Sequence, residues 1–185
     1  MRYRPAVLFS PEQIQRRVKE LGAEITASFT EAGEVCAIGL MKSCMVFMAD
    51  LVREVPLDLK CYFLRASSHL ERGPGAVRTD IVYSTEIPYE GREILLIDDV
   101  IDTGITLGFL VDQIRAHNPK SLRVVSLIDK PGMRKQDVRP DWTAFTVEND
   151  PTRFIVGYGL DREERYRGLP YIGTIPRSEP SQPKG

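Results

Sequence analysis

The chain has 185 residues, 42% of them hydrophobic and 28% charged, with a formal net charge of -1. That length suits one domain with a full core, and the charge balance gives no electrostatic reason to expect nucleic acid or an anionic membrane as partner. Cys36, Cys44 and Cys61 form no Cys-x-x-Cys unit and the histidines are His69 and His117, so a zinc site is not expected, and the apolar neighbours of the cysteines predict buried, reduced thiols. The first ten residues carry Arg2 and Arg4 but no long apolar core, and no apolar run approaches spanning length; no signal peptide is expected and the protein is placed in the cytoplasm.

In chain order, Ser10-Pro11-Glu12-Gln13 reads as a helix start, with Ser10 as cap, Pro11 in the first turn and Gln13 completing a capping box. Ile14, Val18, Leu21 and Ile25 then recur at helical spacing, and Arg16, Arg17, Lys19 and Glu20 form the solvated face. Residues 35–40 are an apolar strand, followed by Met41-Lys42-Ser43 and a second helix burying Val46, Phe47, Leu51 and Val52. Residues 57–64 read as a strand. From Arg65 the apolar pattern is lost through Ser67-Ser68-His69 and Gly73-Pro74-Gly75, the signature of a long polar loop, functional or disordered. Residues 78–83 are its returning strand.

The run Ile94-Leu95-Leu96-Ile97 has no alternation, which fits a strand buried on both faces of a parallel sheet. It stops at Asp98 and Asp99, and Asp102 follows beside Thr103, Gly104, Ile105 and Thr106. Leu107, Leu110, Val111 and Ile114 then mark a helix, so the segment reads strand, acidic loop, helix. A helix N-terminus behind a small, hydroxyl-bearing loop suits a phosphate. The upstream carboxylates suit a sugar diol or hydrated Mg²⁺. A lone Asp here would be a cap or a solvated strand end; three around a Thr-Gly turn point to ribose, phosphate and magnesium. Residues 121–128 form a further strand ending in Asp129-Lys130-Pro131, and 141–147 another. Phe154-Ile155-Val156 and the charged run from Asp161 to Arg167 follow, and from Arg177 the chain is polar and Pro-containing, read as a disordered tail over 177–185.

Residues 96–107 resemble the phosphoribosyl-diphosphate (PRPP) signature of the type I phosphoribosyltransferases, and the remaining segments are most similar to the hypoxanthine-guanine branch. The resemblance, over residues 34–175, implies an α/β fold with a parallel-sheet core flanked by helices, a small hood built partly from segments after Asp141, and a flexible lid loop, in one domain over residues 1–176. It implies transfer of 5-phosphoribosyl from PRPP to N9 of hypoxanthine or guanine, with Mg²⁺ as cofactor and a homodimer or homotetramer as assembly.

By the same resemblance Asp98, Asp99, Asp102, Thr103, Gly104, Ile105 and Thr106 hold the ribose and phosphate of PRPP, and Asp102 is the general base at the purine N7. Met41, Lys42 and Ser43 stand for the family's Leu-Lys-Gly pyrophosphate loop, often entered through a cis peptide, with Arg167 of the Asp-x-x-Glu-x-x-Arg segment as a second ligand. Lys130 reads the 6-oxo group, since an ammonium only donates; Phe154 stacks on the base, and carbonyls near Ile155 and Asp161 face its 2-position. Asp98, Asp99 and Asp161 hold magnesium, partly through water, and Ser68-His69 replaces the Ser-Tyr pair that leads the lid. Two alternatives remain at this point: a regulator that keeps the PRPP fold and binds nucleic acid, and a xanthine- or pyrimidine-directed transferase.

Overall fold

A computed structural model describes residues 4–29, 33–70, 77–83 and 86–177, with the backbone alone described at 66–70 and 77–83. Among these residues a six-stranded sheet runs in the order β4-β3-β2-β5-β6-β7, and a three-stranded sheet β1-β9-β8 stands beside it. The strands of the large sheet are β2 (Val35–Leu40), β3 (Leu59–Leu70), β4 (Val77–Tyr83), β5 (Glu93–Ile101), β6 (Ser121–Asp129) and β7 (Trp142–Thr146). All its pairings are parallel except β3 with β4. The helices are α1 (Pro11–Ser28), α2 (Met45–Glu54) and α3 (Ile105–Arg115), and the small sheet is β1 (Ala6–Phe9), β8 (Arg153–Val156) and β9 (Ile172–Pro176).

The unbroken apolar run of β5 has its expected cause, a sheet covered on both faces. Leu95 and Ile97 pack into one cluster with Ile14, Leu21, Phe47 and Leu51 of α1 and α2, whereas Ile94 and Leu96 pack into a second with Leu107, Leu110 and Ile114 of α3. Each such side chain removed from water contributes roughly 1.5–3 kcal/mol. Helix α1 starts as expected, with Ser10 and Gln13 in a reciprocal capping box. In α2, Phe47, Met48 and Leu51 are buried while Val46 and Val52 are half-buried.

Several expectations are corrected. Strand β5 runs on through Asp98 and Asp99 to Ile101, so these carboxylates sit on the strand, where pairing with β6 continues to Asp129, and the loop proper is 102–104. The stretch 65–70 is strand, with Ser68 opposite Thr79 and His69 opposite Arg78; antiparallel pairing supplies the backbone partners that composition alone does not reveal. The hood contains β1 and β9, neither evident from the sequence, while the strand after Asp141 belongs to the large sheet. Cys36 and Cys44 are buried but Cys61, on β3 next to the sheet edge formed by β4, is exposed. Arg17, read as part of a solvated face, donates to the carbonyls of Ala144 at 3.3 Å and Thr143 at 3.0 Å and so satisfies the outer edge of β7. Arg177, expected in the tail, is hydrogen-bonded, its amide donating to Thr152 O at 2.7 Å; residues 178–185 lie outside the described residues.

The hood is fastened to the core by side chains. The rings of Phe9 and Phe145 stack at 3.9 Å, and the hydroxyl of Tyr158, just beyond β8, donates to Asp50 of α2 at 2.6 Å. Burial, then the Asp50 carboxylate, pushes the Tyr158 hydroxyl well above its ordinary pKa. Replacing Tyr158 by Phe is expected to lower unfolding stability by about 1 kcal/mol, leaving Asp50 free to rehydrate; an unchanged urea midpoint would mean that this tie contributes nothing.

Candidate active site

Strand order decides where a ligand binds. From β2 the chain crosses to β3 on one side, while β5 leads to β6 on the other, so order reverses between β2 and β5, and a crevice opens beyond their carboxyl ends. The residues leaving β2 are Met41-Lys42-Ser43; those leaving β5 are the acidic turn. Pairing sets Gly39 against Ile97 and Ile101 against Asp129. The first register brings Ser43 beside Asp99, whose carboxyl pKa the serine hydroxyl pulls down. The second makes Asp102 and Lys130 emerge side by side, and Lys130 Nζ lies 3.0 Å from Asp102 Oδ1, with the lysine side chain 15% exposed and the aspartate 50%.

Asp98 is buried and accepts from the Asp99 amide at 2.9 Å. Burial first, and then the neighbouring Asp99 charge, raise its pKa well above the carboxylate range; Asp99 is raised by burial too, against the pull of its hydrogen bonds. Two adjoining carboxyls taken out of water repel each other and favour a proton, a cation or a diol between them. Helix α3 follows with Gly104 as N-cap at φ 77° and no side-chain cap, so the first turn of the helix is presented to the loop. Gly104 is required twice over, by its left-handed backbone and by space, since a Cβ there would stand 2.7 Å from Val138 and 3.1 Å from the Arg134 Cδ.

The Lys42 side meets the segment after β8. The Met41–Lys42 peptide is cis, and Lys42 Nζ lies 2.8 Å from Glu164. Arg167 donates to Ser43 Oγ and Gly159 O at 2.8 Å each, and its guanidinium reaches Asp161 at 2.8 Å and Glu164 at 3.2 Å. Its Nε is buried with no hydrogen-bond partner. Lys42, Ser43 and Arg167 thus converge, with Glu164 bridging the two cations, although they lie more than 120 residues apart. Asp161 also accepts from the Glu164 amide at 2.8 Å. Glu163, Glu164 and Tyr166 have φ of 52°, 63° and 74°, a tightly wound turn that sets Glu164 between Lys42 and Arg167. Ser43 is not among the left-handed residues, so serine fits where the family pattern has glycine.

Phe154 lies in β8 with the guanidiniums of Arg162 and Arg177 at 4.2 and 4.4 Å from its ring centre. Ile155 pairs with Thr174. The side chains of Ser68 and His69 lie outside the described residues. No group of three or more His, Cys, Asp or Glu able to hold a metal ion occurs among the described residues, and none of their helices is long and apolar enough to cross a membrane.

Two residues with evident roles here were not singled out from the sequence. Glu164 is the Glu of the Asp-x-x-Glu-x-x-Arg segment, but the sequence assigns it no role. Arg134 was not marked at all, although the Pro131-Gly132 turn that returns the chain after Lys130 is a visible signal that something four residues on faces the site.

Comparison with known proteins agrees with this geometry. The family model of the phosphoribosyl transferase domain matches residues 9–163. The chain is 43% identical over 169 residues to a hypoxanthine-guanine phosphoribosyltransferase of Bacillus subtilis, covering 91% of this chain and 92% of that protein. It is 37% identical over 175 residues to one of Mycobacterium avium, covering 92% and 85%. A crystal structure of a hypoxanthine-guanine phosphoribosyltransferase from Bacillus anthracis superposes with a TM-score of 0.82 at 36% identity, covering 92% of this chain and 97% of that one. The strand order, the acidic turn at the reversal point and these matches together make the chain a member of the phosphoribosyltransferase family, with the type I fold.

Proposed function

We propose that the chain transfers the 5-phosphoribosyl group of PRPP to N9 of hypoxanthine or guanine, giving the nucleotide and pyrophosphate. The observation that carries this reading is the Lys130–Asp102 pair at 3.0 Å, which sets an obligate donor and a carboxylate side by side at the carboxyl ends of two adjacent strands. The lysine suits a 6-oxo group and disfavours a 6-amino group. The carboxylate suits a base for the purine N7 proton, a role that needs hydrogen-bond reach. The names of the relatives, hypoxanthine-guanine phosphoribosyltransferases, support the same pair of bases.

The rest of the site divides the substrate. The turn 102–106 takes the 5-phosphate at the α3 N-terminus, and Asp98 with Asp99 takes the ribose diol. Lys42, Ser43 and Arg167 take the leaving diphosphate; the Arg167 terminal nitrogens are engaged by Ser43, Gly159, Asp161 and Glu164, so the diphosphate takes the place of the exposed Glu164 carboxylate on both cations. As C1 loses the diphosphate, positive charge grows on the ribosyl centre and negative charge on the leaving group, and these fixed charges stabilise both. Phe154 stacks on the base once the Arg162 or Arg177 guanidinium over its ring gives way, and the carbonyl of Ile155 offers an acceptor to a 2-amino group.

Magnesium fits the donor set at Asp98 and Asp99, whose mutual repulsion a divalent cation relieves. Asp161, the ligand proposed for a second ion, is committed to Arg167 and the Glu164 amide, so it would reach that ion through water. With the protein supplying few ligands, the ion would share substrate oxygens and supply charge neutralisation to the diphosphate. One domain over residues 1–176 and a homodimer or homotetramer complete the proposal.

Three measurements test it. Supplied with PRPP, magnesium and each base in turn, the protein should form inosine and guanosine monophosphates and little or no adenylate; adenylate as the main product would refute the role of Lys130. Asp102→Asn should cut kcat about 10²- to 10⁴-fold while the KM for PRPP moves little, and wild-type turnover would remove Asp102 as base. The exposed Lys42–Glu164 pair competes with the diphosphate for the same cations, so Glu164→Gln should strengthen product inhibition by pyrophosphate about two- to fivefold. Weaker inhibition in that variant would show that Glu164 holds the cations in place instead.

A further inference from the structure

The segment after β6 folds back beneath the acidic turn. Arg134, 15% exposed, sends one terminal nitrogen to two main-chain oxygens of that turn, Ile101 O at 3.1 Å and Asp102 O at 2.8 Å. Its other terminal nitrogen is bonded to the carboxylate of Asp129, the last residue of β6 and the neighbour of Lys130. One planar guanidinium thus joins the ends of two strands at the point where each gives up a functional side chain. The chain on either side reinforces the joint. The Lys130 amide donates to Ile101 O at 3.0 Å and the Lys135 amide to Thr103 O at 2.8 Å, while the Arg134 stem and Val138 fill the space beside Gly104.

We infer that Arg134 is a positioning residue that fixes Asp102 and Lys130 relative to each other through the carbonyls of 101–102 and the Asp129 carboxylate. The inference rests on the reading of Asp102 and Lys130 given above, but Arg134 itself reaches neither functional group; it acts through backbone and neighbour. A salt bridge between a half-exposed aspartate and a lysine holds geometry weakly by itself. Each of those side chains swings on a backbone whose direction is set at its root. A five-donor fork with three acceptors in different directions sets that direction for both roots at once, which a point charge on a flexible stem does not. Reaction rates are sensitive to displacements of this kind: about 1 Å of misplacement costs on the order of 10²-fold.

The experiment compares the wild type with Arg134→Ala and Arg134→Lys, reading kcat, the KM for PRPP and thermal unfolding, with and without sub-denaturing guanidinium chloride. Arg134→Ala is expected to lose about 10- to 100-fold in kcat with the KM for PRPP within about threefold, guanidinium to restore part of the loss, and sodium chloride at equal ionic strength to restore none. Arg134→Lys is expected to stay well below wild type, because it keeps charge but not the fork. Wild-type kcat in either folded variant overturns the inference, as does a loss that appears only in KM or that guanidinium leaves untouched. If Arg134→Ala does not fold, Arg134→Lys carries the test alone: a kcat loss at unchanged KM supports the inference and equal kcat overturns it. A wild-type protein that forms no nucleotide from PRPP and any base instead defeats the functional reading, an outcome distinct from both.

Discussion

The parallel pairing of β5 with β2 on one side and β6 on the other is the constraint on which the site depends. Each residue past the end of a strand has a neighbour fixed by register, so setting Gly39 against Ile97 and Ile101 against Asp129 determines that Ser43 meets Asp99 and that Lys130 meets Asp102. A slip of one residue would turn Asp98 and Asp99 each to the other face of the sheet and separate both contacts. What prevents the slip is the alternate packing of β5: Leu95 and Ile97 belong to the α1/α2 side and Ile94 and Leu96 to the α3 side. Two independent hydrophobic clusters would have to be exchanged, at several kcal/mol in all.

On that frame the site is assembled in two halves of different character. The half around Asp98, Asp99, Asp102 and Lys130 stands on strand ends, is partly buried and is braced from below by residues 134–138. The half around Lys42, Glu164 and Arg167 stands on turns and is more exposed, with Lys42 and Glu164 at 50% and 62%. This division fits the chemistry. The reacting carbon and the base need fixed geometry. The diphosphate, large and strongly charged, needs cations that draw it in and then let it go. Arg167 links the halves, since it holds Ser43, which stands beside Asp99.

The carboxylate pair shows how placement alters a residue's chemistry. At the end of a strand Asp98 and Asp99 read as ordinary ligands in an acidic loop. On the strand itself, with Asp98 buried and Asp99 half-buried beside it, they become a pair whose charge is held against desolvation and mutual repulsion. That is an arrangement costly by itself and favourable once a diol or cation shares it. The same shift from loop to strand moves the true turn down to 102–104, where Gly104 alone provides the left-handed step into α3.

The sequence by itself determined the α/β class, the order of most elements and the acidic turn with its helix, because these are written in local periodicity, caps and turn residues that fall within a few positions of one another. Ser10 with Gln13, the faces of α1 and α3, and the run 94–97 were all legible on those grounds. Four-residue strands such as β1 carry too few residues to show a period, and β9 is recognised only by pairing with β1 and β8. The polar stretch 65–70 looked like loop because its strand character comes from a partner strand rather than from its own composition. Only the tertiary structure decided that Arg134 bolts two strand ends together and that Lys42, Glu164 and Arg167 share one cluster. Those contacts span distances along the chain over which no local pattern operates; they are fixed by register and by the path of the turns, which exist only once the sheet has formed.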